Sequence, residues 1–211
     1  KITAGTWMVV RTSQWSYESF NITQYDSKTG NITTSTNTGH WFNNGYGFWL
    51  QGRASFLDQH GEWVYDHMTG SLQLKFDGNP TSHTIVLAVG NGIAVSAPGV
   101  TIDGVHVQYQ RSAISHSGGT NGKDFTLKNC VIDRCFRGIL FGSSVGTLVY
   151  NNQVSLTQMA GISVSGGLNT RILNNHVSDI YLMEGYGNTP YGITTGSSTK
   201  YGQVNDNLVE R

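Results

Sequence analysis

Between residues 100 and 208 one short phrase is written five times: VTIDGVHV (100–107), FTLKNCVI (125–132), LVYNNQV (148–154), RILNNHV (171–177) and GQVNDNL (202–208). Aligned, one column reads Gly104, Asn129, Asn151, Asn174 and Asn205, with Asn152 and Asn175 as alternative members. Three residues on, a second column reads Val107, Ile132, Val154, Val177 and Leu208. The steps are 25, 22, 23 and 31 residues. A companion series precedes each phrase: GIAV (92–95), AISH (113–116), GILF (138–141), GISV (161–164) and GITT (192–195).

Such a step, with short strands and tight bends inside it, predicts a parallel β-solenoid of about five rungs. Each rung lies about 4.8 Å above the last, so equivalent side chains stand in file. At the bend between two strands the backbone turns left-handed, which Asn and Gly tolerate. An Asn in file can also bond the Asn of the next rung and satisfy its own polar groups. The longer step contains YLMEGYGNTP (181–190), read as an inserted loop.

Composition agrees. Charged residues are 12% and Gly is 27 of 211, which suits stacked strands with tight turns and not long helices. Lys+Arg and Asp+Glu are both 13, so there is no basic stripe for a nucleic acid. No apolar run is long enough for a membrane span. Cys130 and Cys135 lie five apart; a pair and buried free thiols both remain open, and no metal-type Cys/His cluster is present.

The first eighty residues do not follow the repeat. TWMVVRT (6–12) alternates as a strand, SFNITQYDSKTGNITTST (19–36) reads as a hairpin turning at SKTGN, and YGFWLQG (46–52) is a further apolar run. GEWVYDHMTGSLQLKF (61–76) is a second hairpin, with Asp58 and Glu62 fixing turns and Trp63 and Tyr65 packing one face. The aromatic cluster Trp41, Phe42, Tyr46, Phe48 and Trp49 is expected to be core, with stacking on sugars as the alternative. The predicted organisation is a β-rich cap over 1–80 and a solenoid over 81–211. No cap follows the last rung, so further rungs are expected beyond Arg211.

Over roughly residues 84–211 the rungs resemble the right-handed parallel β-helix (pectate-lyase-like) superfamily, which includes pectate lyases, polygalacturonases and several glycosidase families. FLDQHGEWVYDHMTGSLQLKF (56–76) is similar to a segment that precedes the solenoid in many secreted bacterial β-helix proteins, often taken as glycosidases. The resemblance implies an all-β fold, a bacterial protein secreted or held at the cell surface, and a polysaccharide or oligosaccharide partner in a groove along the rungs. In the resembled enzymes that groove follows the long turns, here 108–112, 133–137, 156–160 and 179–191, and the strands starting at Ala113, Gly138, Gly161 and Gly192.

On that flank Asp179 and Glu210 fall two residues past the apolar column, on neighbouring rungs about 5 Å apart. Retaining glycosidases hold their two carboxyls at about 5–5.5 Å. Asp179 as a turn cap and Glu210 as a solvated side chain form the bland alternative. Glu184 and Tyr186 stand in the inserted loop, and Glu184 is a further candidate acid. Arg111, Arg134 and Arg137 can grip a uronate carboxylate, and Asp133 and Gln158 line the same flank. His116 or Tyr186 could serve a lyase as base. No metal site is expected, and no cofactor except calcium in the lyase case, whose acidic cluster is not evident. Three functions follow: glycoside hydrolase first, polysaccharide lyase second, and a non-catalytic glycan-binding or adhesion module third. The fold by itself does not choose between them.

Overall fold

The alternation in TWMVVRT places Met8 and Val10 on one face of β1 (Trp7–Arg11). This strand pairs antiparallel with β2 (Tyr17–Tyr25) and, after β3 (Ile32–Thr34), with β4 (Phe48–Gln51), giving the order β3-β2-β1-β4. Met8, Val10, Phe20 and Ile22 bury together, with Ile2, Ile32 and Leu50 against them. The turn between β2 and β3 is tied by Asp26, which accepts from the Lys28 amide and the Thr29 hydroxyl, both at 2.8 Å. The second hairpin is β5 (Trp63–Asp66) with β6 (Ser71–Leu74). Before it, Glu62 Oε2 accepts from the amides of Asp58 (2.7 Å) and Gln59 (2.9 Å), so this carboxylate fixes a turn. The expectation of an aromatic core here is corrected: Phe48 and Trp49, on an edge strand, are exposed. Trp41 and Phe42 lie outside the described residues.

This computed structural model describes residues 2–13, 17–35, 44–66, 69–88, 90–116, 123–180 and 191–210. One compact unit ends at Ile85 and a second begins at Val86. Among the described residues no helix is long and apolar enough to cross a membrane.

The second unit is a parallel β-solenoid of three sheets, one of six strands and two of five. Its coils run β7 (Ile93–Val95), β8 (Thr101–Asp103), β9 (His106–Gln108); β10 (Ser112–His116), β11 (Thr126–Lys128), β12 (Val131–Asp133); β13 (Arg137–Phe141), the short β14 (Ser144–Val145), β15 (Leu148–Tyr150), β16 (Gln153–Thr157); β17 (Ala160–Leu168), β18 (Arg171–Leu173), β19 (His176–Ile180); and β20 (Tyr191–Lys200), β21 (Gln203–Asn205), β22 (Leu208–Glu210). Inward positions alternate with outward ones, and Ile114, Leu127, Ile132, Ile139, Val149, Val154, Ile162, Ile172 and Val177 are fully buried.

Left-handed residues mark all three corners. The first holds Gly99, Asp124, Gly146, Asn169 and Tyr201; the second Gly104, Asn129, Asn151, Asn174 and Asp206; the third Tyr109, Arg134, Leu156 and Asp179. The sequence alignment therefore slips by one residue in the last coil. Asn205 pairs in register with Leu173, and Asp206 takes the left-handed place with φ 55°. Likewise Val177 faces Val209, not Leu208. Asp, like Asn, tolerates this conformation, so matching Asn to Asn misaligned that coil.

Two amide files run up the second corner. At the exposed one, Asn151 Nδ2 donates to Asn129 Oδ1 (2.8 Å) and Asn129 Nδ2 to Asp103 Oδ1 (2.7 Å). The inner file is Asn152, Asn175 and Asn207. Asn152 Nδ2 donates to Asn175 Oδ1 and Asn175 Nδ2 to Asn207 Oδ1, both at 2.9 Å. The Asn152 and Asn175 side-chain amides also donate to the Leu127 and Val149 carbonyls of the coils before. Of each Asn-Asn pair, the first turns the chain and the second satisfies buried backbone.

The recurring Gly-Ile has a different cause. A Cβ on Gly138 would lie 2.4 Å from the Gly161 carbonyl oxygen and 2.8 Å from Val154 Cγ1. Gly161 and Gly192 meet Val177 and Val209 Cγ1 in the same way, at 2.5 and 2.4 Å. Two sheets approach there too closely for most side chains; Ala113 is the one methyl admitted to this column. Cys130 and Cys135 are free and buried.

Candidate ligand-binding face

The outward face of the sheet β9-β12-β16-β19-β22 gathers polar groups that are far apart in sequence. One outward column is His106, Val131, Gln153, His176 and Leu208; the next is Gln108, Asp133, Ser155, Ser178 and Glu210. Parallel register brings a side chain of one coil against the next coil's neighbouring column. Thus His106 Nε2 lies 2.7 Å from Asp133 Oδ1, and His176 Nε2 lies 2.8 Å from Glu210 Oε1. A carboxylate only accepts, so each Nε2 donates, and that bond leaves each Nδ1 unengaged among the described residues.

Asp133 is the buried anchor of this face. Burial pushes its carboxyl up, but hydrogen bonds from His106 and Gln108 (3.0 Å) and the charge of Arg134 pull it further down. It ends below the ordinary carboxylate value and is ionised at neutral pH. Beside the face, the second corner forms a groove lined by Asn129, Asn151, Asn174, Gln153 and His176. The Gln153 and Asn174 carboxamides have no hydrogen-bond partner among the described residues, and both stand exposed.

Of the site residues expected from sequence, Asp133 and Arg134 come together here. Asp179 is exposed at the third corner with φ 51°. Glu210 pairs in register with Ser178, so it is not the rung neighbour of Asp179; the one-residue slip removes that premise. Arg111 is exposed, with its backbone amide bonded to the Gly90 carbonyl. Arg137 Nε approaches Met159 Sδ at 3.3 Å, and its guanidinium lies 5.5 Å from the Phe136 ring centre. Gln158 donates its backbone amide to the Cys135 carbonyl. His116 points into the core, 2% exposed, with its ring stacked 4.8 Å from Phe125 and edge-on to Phe141. Neither of its ring nitrogens has a partner among the described residues, and burial lowers its pKa. The strands from Ala113, Gly138 and Gly161 begin buried, so those starts line no groove. Glu184 and Tyr186 lie outside the described residues.

Sequence reasoning missed His106 and His176. Each bonds a carboxylate 27 or 34 residues away, so no local motif marks them. The signal lay in the alignment, where both stand one place before the inward valines Val107 and Val177.

A solenoid of parallel strands with three corner files defines the class: a parallel β-helix protein. Within that class, the family described as periplasmic copper-binding protein (NosD) matches residues 57–211, and the chain belongs to it. The family is a periplasmic one, in accord with the expected place outside the cytoplasm. No curated protein and no solved structure matches the chain. A pectate-lyase-like affiliation finer than the β-helix itself gains nothing from these comparisons.

The family description speaks of copper, against the expectation of no cofactor. The described residues do not fit a resident copper centre. Among them no three His, Cys, Asp or Glu side chains form a group that could hold a metal ion. Burial pushes both thiols up, which keeps them protonated and enclosed. The two exposed imidazoles of the face stand three coils apart and each has one nitrogen engaged.

Proposed function

We propose that this protein is an exported β-helix that binds a polysaccharide along the outward face of the β9-β22 sheet and its adjoining amide groove. One observation carries the reading: unengaged carboxamides of Gln153 and Asn174 stand beside a carboxylate-held His176 in an open groove. Neutral donors and acceptors of this kind suit sugar hydroxyls, and the rung repeat offers them at regular intervals. Cleavage is the finer form of the reading. Glycoside hydrolysis takes Glu184 and Glu210 as its candidate carboxylates, without the Asp179–Glu210 rung pair that the register removes; β-elimination on uronates takes the arginines Arg111, Arg134 and Arg137.

Neutral and uronate polysaccharides, offered as insoluble matrices and in solution, test it. Retention on at least one is expected. New reducing ends alone signal hydrolysis, and new ultraviolet absorbance from an unsaturated uronate signals elimination. No retention and no cleavage across the panel overturns the reading.

A second reading is copper binding, brought here by the family description. The observation on its side is the pair of carboxylate-oriented imidazoles, since metal-ligating histidines are commonly held by a carboxylate in this way. Equilibrium dialysis against Cu(II) tests it: weak, His-dependent uptake supports surface loading, and no uptake ends it.

A further inference from the structure

We propose that His106 and His176 are the two anchoring groups for the bound chain, and that the ligand lies along the solenoid axis across the coils between them. The inference rests on the polysaccharide reading above and deepens it by fixing direction and minimum length.

Both rings occupy the same outward column. Each is held by the carboxylate that sits one coil further and one column across, Asp133 for His106 and Glu210 for His176. The same diagonal therefore recurs three coils later, although the intervening chain differs. The carboxylate fixes the ring orientation without enclosing it: the side chains remain 53% and 41% exposed. A group pinned before binding loses little freedom on binding. Between the anchors the two columns hold Val131 and Asp133 on one coil and Gln153 and Ser155 on the next. Gln153 and Ser155 can hydrogen-bond sugar hydroxyls, and Val131 offers a small apolar surface between His106 and Gln153. Three rung steps separate the anchors, about 14 Å. That is the reach of an oligosaccharide and not of a single sugar. A ligand running across the sheet would meet one imidazole only.

The test is length dependence. Cello-, xylo-, laminari- and galacturono-oligosaccharides of two to six units are titrated by calorimetry against the full chain and three variants: His106→Gln, His176→Gln and the double. For the wild type, affinity is expected to rise with length and then level once both anchors are reached. Each single variant is expected to lose about tenfold with the longest ligands, the loss of one hydrogen bond to a well-placed partner. Each should lose the length dependence as well, which a merely structural role would not remove. If His106→Gln unfolds because Asp133 loses one of its three partners, His176→Gln, on exposed groups, carries the test alone. A double variant that keeps wild-type affinity and length dependence overturns the inference and leaves the polysaccharide reading standing. A wild type that binds none of the ligands, on polysaccharides as well as oligomers, overturns both.

Discussion

In the N-terminal sheet Met8, Val10, Phe20 and Ile22 bury one face, while Trp7, Phe48 and Trp49 stay exposed. In the solenoid the three inner coils contribute fully buried aliphatic side chains to one continuous core, and even the glycines of the Gly-Ile column are in close contact. The first is a set of pairwise agreements between antiparallel neighbours, each tied by its own turn. The second is a stack in which each residue answers to the coils above and below. A change in the sheet is absorbed locally; a change in the stack is felt by three coils at once.

Ile162→Ala should cost about 3–4 kcal/mol, because the ring of buried neighbours leaves little room to collapse. Phe48→Ala in the sheet should cost about 0.5 kcal/mol or less, as an exposed substitution does. Urea melts of the two variants measure the gap, and equal losses would break the contrast.

The opening Asn-Asn pairs allow a finer cut within the solenoid. Asn175→Ala removes the acceptor of the Asn152 backbone amide (3.0 Å) and leaves buried groups unsatisfied, for about 2–3 kcal/mol. Asn174→Ala loses only tolerance of φ 55°, about 1 kcal/mol, and Asn174→Gly should be close to neutral. Equal losses at the two positions would mean that the inner file does not support the stack.

Acid should act on the solenoid through His116. Its native pKa is lowered by burial, so the unfolded chain takes up the proton first. The stability of the neutral form is complete above about pH 6.5 and falls as pH drops through and below it, by at most about 1.4 kcal/mol per pH unit. Phe125 and Phe141 pack on the ring, and neither carries a charge to compensate. His116→Phe should flatten the pH profile of thermal melting between pH 7 and 4.5. An unchanged profile would place the acid sensitivity elsewhere.

One substitution is expected to be a small gain, read by thermal melting. Tyr201 is 80% exposed and held at φ 52° in a corner where Asn169 serves the coil before. Tyr201→Asn should stabilise by about 0.5–1 kcal/mol.

The stack was legible because its inward columns repeat in kind: Val107, Ile132, Val154 and Val177 announce one another. So were the hairpins, whose turns carry Asp26 and Gly30. Two of the three corners were harder to read. Tyr109, Arg134, Leu156 and Tyr201 turn left-handed with no residue-type signal, because the stack on either side imposes the conformation. The Gly-Ile phrase was visible, but its cause lies in the valines of the facing sheet. The candidate face was half legible. Asp133 and Arg134 stood out as polar groups beside a turn, whereas the histidines gain meaning only from partners one coil away. His116, expected to meet a ligand, took an inward place because strand alternation outranks polarity at that position.

The three files of corner residues carry a lesson about how such a chain can change over generations. Since every coil presents the same set of registers to its neighbours, duplicating or losing an entire circuit preserves all remaining alignments, while dropping one residue inside a strand turns the rest of that strand inside out. Relatives of this protein should therefore differ by complete circuits, or by loops let out at the corners, and seldom by anything in between.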